Sequence, residues 1–338
     1  MRIAVIGAGA LGGLFATLLA GAGHDVTVTA RGPALGVIQA DGIRLTGGFG
    51  EAHARPRAVE RLTEAPELAL ICTKAQDAGG AIADNAHVLN GCPVIVVQNG
   101  LDGIRTAEGL LPRSDCFGLL VIVAANYSEP GRVTVTTAAP SYLGRGTGPV
   151  DTGTRHWQSV IGQALHTRPI DNFVGAQWTK LVVNMLNALP AITGLTVQEV
   201  VSQPALRRIM TASMRETVQV AMRRGVHFGS LQKLDDRRLR AFSRLPLWAG
   251  QILPLRMRAR MGAVPNRGST LQSILRGQLT EIDFLNGAVV REAAVVGKPA
   301  PVNALLTELV HEVESSGRHL STEAVLARFA ALQASEQD

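Results

Sequence analysis

The chain opens with a glycine motif that lies between a strand pattern and a helix pattern. Residues 2–31 read RIAVIGAGALGGLFATLLAGAGHDVTVTAR, so Gly7, Gly9 and Gly12 follow a short apolar run and begin an apolar helix. In this order the glycines permit a tight turn, a close approach of the backbone to a pyrophosphate, and close packing of the helix on the strand. The N–H groups at the helix N-terminus can then bind the anion. The stretch predicts a βαβ unit that binds a dinucleotide; the alternative is a glycine turn without a ligand.

Short runs rich in Val, Ile and Leu alternate with helix-compatible segments through the first half of the chain. The runs are RIAVIG, HDVTVTA, LALICT, PVIVVQNG and CFGLLVIVAA. This alternation predicts a mostly parallel sheet covered by helices. From RVTVTTAAPSYLGRG onward, strand character alternates with turns, which predicts an antiparallel addition to the sheet, then one more helix and a short strand.

Strand patterns end near residue 172. Helical patterns follow over 174–192, 203–225, short pieces between 231 and 260, 268–296, 302–316 and 322–334, and the final SEQD is expected to fray. A chain of 338 residues favours two domains, because single cores stop growing near roughly 250 to 300 residues. We therefore expect an α/β protein with an N-terminal dinucleotide-binding, Rossmann-type doubly wound sheet over 1–172 and a C-terminal all-helical domain over 173–334.

Composition and short motifs argue against several classes of protein. Hydrophobic residues at 46% and charged residues at 18% indicate a folded globular chain, and no apolar run is long enough to span a membrane. The three cysteines are odd in number and form no CxxC pair, and the histidines are scattered, so we expect neither disulfides nor a metal site. No GxSxG motif of a serine hydrolase is present. We expect a cytoplasmic protein whose net charge of +6 favours anionic ligands.

The end of the second predicted strand bears on the cofactor. An acidic residue there would accept hydrogen bonds from the ribose hydroxyls of NAD, but the strand ends with Thr29, Ala30 and Arg31. A guanidinium can pair with a 2′-phosphate through two hydrogen bonds and stack on adenine. Arg31 therefore favours NADP, with a solvated surface cation as the alternative.

Polar residues follow the next two predicted strands. Lys74 comes directly after LALICT, and Asn99 and Gly100 end PVIVVQNG. Because ligands bind at the carboxyl ends of parallel strands, we expect Lys74 and Asn99 at one ligand-binding edge of the sheet. For the Asn-Gly pair, a plain turn is the alternative.

A polar stripe is predicted on helix 174–192. Lys180, Asn184 and Asn187 are spaced i, i+4, i+7, and apolar residues cover most of the remaining helix surface. Only four of the 33 basic residues are lysines, and a buried lysine, unlike an arginine, acquires a lowered pKa and can donate a proton. Two alternatives to a functional site are that these polar side chains form hydrogen bonds with one another or with the backbone inside a core, or that the stripe is exposed to solvent.

Glu281 lies on a second predicted helix, in GSTLQSILRGQLTEIDFLNG. Alone, it is most simply a solvated carboxylate. A lysine and a glutamate on separate helices that face a nicotinamide could donate a proton and anchor a hydroxyl-bearing substrate.

Seven motifs are spread over nearly the whole chain. They read MRIAVIGAGALGG, TKAQD, VVQNG, EPGRV, WTKLVVN, S-x-x-x-S-x-x-x-G-x-x-TEIDFLNG and GKPAPVN. Together they resemble the 2-dehydropantoate 2-reductase family, also called ketopantoate reductases. The resemblance implies that a Rossmann domain over 1–172 binds NADP and that a helical domain over 173–334 is the substrate and catalytic domain. It also implies an enzyme of pantothenate biosynthesis that reduces a 2-oxo acid with NADPH.

The resemblance also implies roles for individual residues. Lys180 would be the general acid that protonates the carbonyl oxygen as NADPH delivers hydride. The substrate is expected to contact Asn99, Lys180, Asn184, Asn187, Ser269 and Glu281. The cofactor is expected to contact Gly7, Ala8, Gly9, Ala10, Leu11, Gly12, Arg31, Lys74, Asn99, Ala124 and Glu281.

The chain departs from the family pattern at two places. Ala188 stands where members commonly carry another asparagine, and Gln198 and Glu199 replace a later Asn-Gly pair. These departures favour, as a second hypothesis, a related reductase of a different 2-oxo acid or ketone. An NADP-binding regulator without turnover is a third hypothesis, and the presence of both Lys180 and Glu281 speaks against it.

Residues 231–267 form an arginine-rich segment, and its positive charge could suggest a membrane surface or an RNA as partner. Pro246 and Pro254 break it into short pieces, and we expect Trp248, Leu253 and Leu255 to be packing residues. A structural lid or packing element is therefore expected in place of a membrane or nucleic-acid site. The expected binding partner is a small 2-oxo acid, and assembly into a homodimer is left as an open alternative.

Overall fold

The computed structural model describes residues 1–262 and 264–335. The predicted frayed tail lies outside the described residues except for Ser335. The chain divides into two compact units, Met1–Val174 and Gly175–Asp338. Among the described residues, none of the helices combines the length and the apolar character needed to cross a membrane.

The first unit contains twelve strands and five helices within its described residues. The strands are β1 (Arg2–Ile6), β2 (Asp25–Thr29), β3 (Ile43–Gly47), β4 (Ala52–Ala54), β5 (Arg57–Val59), β6 (Leu68–Ile71), β7 (Val94–Val96), β8 (Cys116–Leu120), β9 (Ala124–Glu129), β10 (Arg132–Thr137), β11 (Ser141–Gly144) and β12 (Thr167–Pro169). The helices are α1 (Ala10–Gly21), α2 (Pro33–Asp41), α3 (Ala75–Leu89), α4 (Gly103–Leu110) and α5 (Thr152–Gly162).

Eight of the strands form one sheet in the order β12-β11-β8-β7-β6-β1-β2-β5. The six strands from β5 to β8 are all parallel, whereas β11 runs antiparallel to β8. Strands β6, β7 and β8 are buried along their whole length, as expected for apolar runs covered on both faces. The predicted α/β, Rossmann-type sheet is confirmed, including the late antiparallel strand, the helix and the final short strand.

A second sheet, in the order β4-β3-β10-β9, was not predicted. The expectation that RVTVTT extends the main sheet is wrong, because β10 pairs with β3 and β9 instead. The run CFGLLVIVAA is also not one strand, since β8 ends at Leu120 and β9 belongs to the second sheet. Strand β10 buries alternate residues only, so it covers a core with one face, and Val133 packs close to Gly13 of α1.

Helices make up the second unit, which confirms the predicted all-helical part. They are α6 (Phe173–Asn184), α7 (Ala188–Thr193), α8 (Val197–Ser202), α9 (Pro204–Arg223), α10 (Asp236–Arg244), α11 (Leu247–Gly250), α12 (Ile252–Arg260), α13 (Gly268–Leu275), a 3-10 turn (Ile282–Phe284), α14 (Asn286–Val295), α15 (Pro301–Ser316) and α16 (Thr322–Ser335). The first of them, α6, begins two residues before the division between the units.

The predicted helix 174–192 is interrupted. After α6 ends at Asn184, the N–H of Leu186 donates to Val183 O at 3.2 Å and that of Asn187 donates to Asn184 O at 3.0 Å, both in three-residue steps. Pro190 explains the break, because its ring would clash with the carbonyl of residue 186 in a continuous helix, whereas it is tolerated in the first turn of α7. The prediction of one helix was wrong, and the polar stripe stops before Asn187.

The predicted helix 268–296 is interrupted as well. Gly277 adopts a left-handed conformation, with φ of +63°. Its N–H donates to Ile274 O at 2.8 Å, and the N–H of Gln278 donates to Ser273 O at 2.9 Å, which is the Schellman arrangement that ends a helix. Glu281 therefore lies in an irregular connection and not on a helix, contrary to the prediction.

The arginine-rich segment folds into α10, α11 and α12, and Ala263 within it lies outside the described residues. Trp248 is 78% exposed and Leu255 is also exposed, so their expected packing was wrong. Leu253 is partly buried. On α11 the buried residue is Gly250, which packs against Phe242. Each residue of a helix turns the side-chain direction by about 100°, so Trp248, two residues before Gly250, points to the opposite side.

Candidate active site

The glycine motif forms an open cradle between β1 and α1. Gly7 has φ of +98°, and a Cβ atom there would lie 2.7 Å from Thr73 Cγ2. A Cβ on Gly12 would lie 1.7 Å from Gly7 O, so only glycine lets the helix approach the strand this closely. A Cβ on Gly9 would meet no described atom within 4 Å. The space beside Gly9 can therefore admit a ligand, and the residues fit the pyrophosphate of a dinucleotide.

Backbone groups around this cradle point to an anion. Helix α1 begins at Ala10, and its first N–H groups, which include that of Leu11, have no acceptor inside the helix. Gly9 caps the helix without a side-chain hydrogen bond. The N–H of Gly7 donates to Thr29 Oγ1 at 3.0 Å, which ties the turn to the end of β2. Ala8, between the two glycines, is partly buried.

Arg31 follows β2 and has an acidic partner that the sequence did not reveal. Its guanidinium donates to the carboxylate of Asp84 on α3, and Arg61, just after β5, lies 3.3 Å from the same carboxylate. The side chains of both arginines are 63% exposed, whereas that of Asp84 is 29% exposed. Two cations and one carboxylate thus gather at the carboxyl ends of neighbouring strands. No local signal connects Arg31 and Asp84, because 53 residues separate them.

The ends of β6 and β7 bring more polar groups to the same edge of the sheet. Lys74 precedes the first residue of α3, and Thr73 contacts the glycine turn at Gly7. Gln98 Nε2 donates to Thr73 O at 3.0 Å, one residue before Asn99. Thr73 Oγ1 and Gln98 Oε1 are buried without a hydrogen-bond partner among the described residues, as expected of groups that meet a ligand. Gln98 was missed, although its place at a strand end was a usable signal.

Ala124 is placed in the second sheet, as the first residue of β9. Its carbonyl oxygen accepts a hydrogen bond from Thr136 Oγ1 at 3.2 Å. That carbonyl is therefore already engaged, and its residue is exposed. The backbone contact to the cofactor expected for Ala124 stays a prediction.

Lys180 is a partly buried ammonium group on α6 of the second unit. Burial lowers its pKa from an ordinary value near 10.5 to about 8, although the carboxylate of Glu281 acts in the opposite direction. The residue before it, Thr179, is fully buried and donates from Oγ1 to Gly229 O at 2.7 Å. The helix is thus fixed at this point. It carries an ammonium group whose pKa is close to neutral pH, and the Glu281 carboxylate is close enough to affect that pKa.

Two asparagines accompany Lys180. Asn184 lies one turn further along α6, and its Nδ2 is buried without a hydrogen-bond partner among the described residues. Asn187 lies against Gly268, where a Cβ would come within 2.6 Å of Asn187 Oδ1. This contact brings Asn187 to the start of α13, next to the exposed Ser269. Packing thus places Asn187 against the residue that precedes Ser269, and not in one helical stripe with Lys180 and Asn184.

Other chemistry has less support in the described residues. No group of three or more His, Cys, Asp or Glu residues could hold a metal ion within 1–262 and 264–335. Cys72, Cys92 and Cys116 are buried free thiols, and burial raises the pKa of the last two to about 11. Thiols with raised pKa values are poor nucleophiles at neutral pH.

Comparisons with known proteins cover both units. Residues 3–148 match the family model described as Ketopantoate reductase PanE/ApbA, and residues 172–314 match Ketopantoate reductase PanE/ApbA C terminal. A 2-dehydropantoate 2-reductase of Pyrococcus horikoshii is 28% identical over 333 residues, which cover 94% of this chain and 99% of that protein. One from Archaeoglobus fulgidus is 29% identical over 318 residues, with coverage of 93% and 98%.

A solved structure agrees with these matches. The crystal structure of a PanE/ApbA family ketopantoate reductase from Ralstonia eutropha JMP134 superposes with a TM-score of 0.80 at 29% identity, and covers 94% of this chain and 100% of that one. The family models together match well over half of the chain. The chain therefore belongs to the ketopantoate reductase PanE/ApbA family of oxidoreductases, which use a pyridine nucleotide to act on CH–OH groups.

Proposed function

We propose that this protein reduces a 2-oxo acid to a 2-hydroxy acid with NADPH, and that the substrate is 2-dehydropantoate, which becomes pantoate in pantothenate biosynthesis. The observation that carries the proposal is the ammonium of Lys180, whose pKa burial lowers to about 8 beside Glu281. The names of the relatives, 2-dehydropantoate 2-reductase, support the substrate.

Lys180 is the proton donor in this proposal. An ammonium whose pKa is near neutral can give its proton to the carbonyl oxygen of the substrate as that oxygen becomes an alkoxide. Arginine could not do so, because a guanidinium does not release its proton at accessible pH. The carboxylate of Glu281 keeps the pKa of Lys180 from falling further. A substantial fraction of Lys180 therefore stays protonated at pH 7.

When bound, the nicotinamide supplies a hydride to the carbonyl carbon. The residues of the first unit hold the dinucleotide: Gly9 leaves room for the pyrophosphate, and the N-terminus of α1 binds its charge. Arg31 and Lys74 bind the 2′-phosphate, which favours NADPH over NADH. The carboxylate of Asp84, which pairs with Arg31, weakens the preference for NADPH.

The substrate is held by groups of the second unit. Asn184 Nδ2, which lacks a partner among the described residues, donates to a substrate oxygen. Ser269 and Asn187, which packs against Gly268 just before Ser269, bind the substrate carboxylate or its neighbours. Glu281 accepts a hydrogen bond from the substrate hydroxyl.

Reduction of a different 2-oxo acid or ketone is the second candidate. Gln198 donates from Nε2 to Val264 O at 2.8 Å and accepts at Oε1 from Asn266 N at 2.9 Å, so both ends of its amide are engaged. Ala188 is buried and offers no polar side chain. Neither position can supply the contact that the family's asparagines make, and this observation favours a changed substrate.

The test is a steady-state screen of 2-oxo acids with NADPH and with NADH, followed by cofactor absorbance. We expect 2-dehydropantoate to give the highest kcat/KM among the substrates, and we expect kcat/KM to be higher with NADPH than with NADH. A better substrate elsewhere in the panel would favour the second candidate. Inactivity toward every 2-oxo acid would remove the proposed function and would leave only a ketone substrate for the second candidate.

A further inference from the structure

The segment that carries Glu281 lacks the support of a regular helix. Glu281 lies between the end of α13 and the 3-10 turn, with φ of −96° and ψ of 23°. Its neighbours Thr280 and Ile282 are both buried. Because the helical hydrogen-bond ladder does not run through this connection, other contacts must fix the direction of the Glu281 side chain.

Helix α15 supplies such contacts on both sides of Glu281. Glu314 Oε1 accepts a hydrogen bond from the backbone N–H of Thr280 at 2.7 Å. His311, one turn earlier on α15, lies 2.7 Å from Glu314 Oε2 through Nδ1 and 3.0 Å from Asp283 Oδ1 through Nε2. Residues 280 and 283 are therefore tied to the same turn of one helix, and Glu281 lies between them.

Electrostatics strengthens this tie. Burial opposes the charge on Glu314, yet the Thr280 N–H and His311 outweigh it and hold the pKa of Glu314 below its usual range. Burial also opposes the charge on His311, but hydrogen bonds to Glu314 and Asp283 raise its pKa. A protonated imidazole donates from both nitrogens, so it can satisfy both carboxylates at once. The Glu314 side chain is only 11% exposed, which limits competition from water.

We propose that Glu314, assisted by His311, is a positioning residue that holds residues 280–283 so that the Glu281 carboxylate faces Lys180 and the substrate. The proposal rests on the roles proposed above for Lys180 and Glu281. His311 and Glu314, spaced i and i+3 in HEVE, resemble part of a metal-binding motif in sequence. In the structure, His311 contacts Asp283 and Glu314 accepts a hydrogen bond from Thr280, so both side chains have partners in residues 280–283.

The test measures kcat and KM for the 2-oxo acid that the wild-type enzyme reduces. Glu314→Ala removes the acceptor for the Thr280 N–H, and we expect kcat to fall about 10- to 100-fold, as for a misplaced reacting group. KM for NADPH should stay within about twofold, because the pyrophosphate cradle is unchanged. Glu314→Gln keeps an acceptor oxygen and should recover most of kcat.

The matched control is Glu308→Ala. Glu308 lies on the same helix, but its side chain is 68% exposed and pairs with Arg328. Removing this carboxylate changes the net charge equally without touching residues 280–283, so kcat should stay at the wild-type value. If Glu314→Ala fails to fold in a thermal melt, His311→Gln takes its place, with an expected loss of several-fold in kcat.

A double variant separates positioning from general structural damage. In the Glu281→Ala background, adding Glu314→Ala should change kcat by less than about twofold, since nothing is left to position. A full multiplicative loss in the double variant, or wild-type kcat in a folded Glu314→Ala enzyme, would overturn the proposal. Failure of the proposed function looks different: the wild type would reduce no 2-oxo acid, or Glu281→Ala alone would be fully active.

Discussion

The carboxylate of Asp84 on α3 pairs with the guanidinium of Arg31 at the end of β2. The tertiary structure thus places an acidic group beside the position where a strand-end carboxylate would bind the ribose of NAD. Arg61 approaches the same carboxylate, so the cluster contains two cations and one anion. The balance of these charges bears on whether the enzyme prefers NADPH.

Asp84→Asn should raise the preference for NADPH. The substitution removes an anion that competes with the 2′-phosphate for Arg31, and a charge effect at an exposed site is worth about 0.2–1 kcal/mol, or roughly a 1.5- to 5-fold gain in kcat/KM for NADPH. The value for NADH should not rise. Steady-state kinetics with both cofactors measure the ratio.

The control for this substitution is Glu64→Gln, which removes an exposed carboxylate that lies 3.9 Å from Arg57 in the same unit. Its cofactor ratio should equal that of the wild type. Arg31→Ala should move the ratio in the opposite direction. An unchanged ratio in Arg31→Ala would show that Arg31 does not read the 2′-phosphate.

Turnover should depend on the protonation of Lys180. Because a proton donor must be protonated and the pKa of Lys180 is lowered to about 8, kcat/KM should fall as pH rises through that value. Lys180→Arg keeps the positive charge but cannot release the proton, so kcat should fall about 10²- to 10⁴-fold. The pH–rate profile checks the first statement, and Lys298→Arg, at a lysine outside the candidate site, serves as the control for the second.

The same burial should cost stability. At pH 7 Lys180 is mostly charged in the folded protein although its surroundings disfavour the charge, so Lys180→Met should be more stable by about 1–3 kcal/mol, a range discounted for partial exposure. Between pH 8 and 10.5 the unfolded chain holds this proton and the folded chain does not. Stability due to this group therefore rises with pH across that window.

The measurement is the difference in Tm between Lys180→Met and the wild type. We expect Lys180→Met to melt higher at pH 7, and the difference to shrink as the pH is raised to 10. Comparing the two proteins at each pH cancels the titration of all other groups. A wild type that melts at or above the variant at pH 7 would contradict a destabilised ammonium.

The glycine motif allows a matched pair of substitutions. Gly9→Ala places a Cβ in open space, so the fold should be retained while NADPH binding weakens by about tenfold or more. Gly12→Ala places a Cβ 1.7 Å from Gly7 O and should lower stability by about 1–3 kcal/mol. Thermal melts and fluorescence titration with NADPH separate the two effects, and equal Tm losses would refute this division of roles.

Local patterns in the sequence were enough for the main architecture. The glycine motif, the apolar runs and the helical periodicities predicted a Rossmann-type sheet followed by helices, because each depends on neighbouring residues and on the regular spacing of strands and helices. The motifs around Lys180 and Glu281 pointed to the family that the comparisons identify. The second sheet escaped prediction, since the partners of β10 come from distant parts of the chain.

The surroundings of the candidate site were decided by tertiary structure. Pro190 and Gly277 ended helices that periodicity alone would continue, and they moved Asn187 and Glu281 off the predicted helices. Asp84 reached Arg31 from 53 residues away, and Glu314 reached Thr280 from 34 residues away. The sequence by itself determined the fold class and singled out Lys180 as the candidate proton donor. Only packing decided which carboxylates surround the reactive groups, because such contacts depend on strand order and helix packing rather than on neighbouring residues.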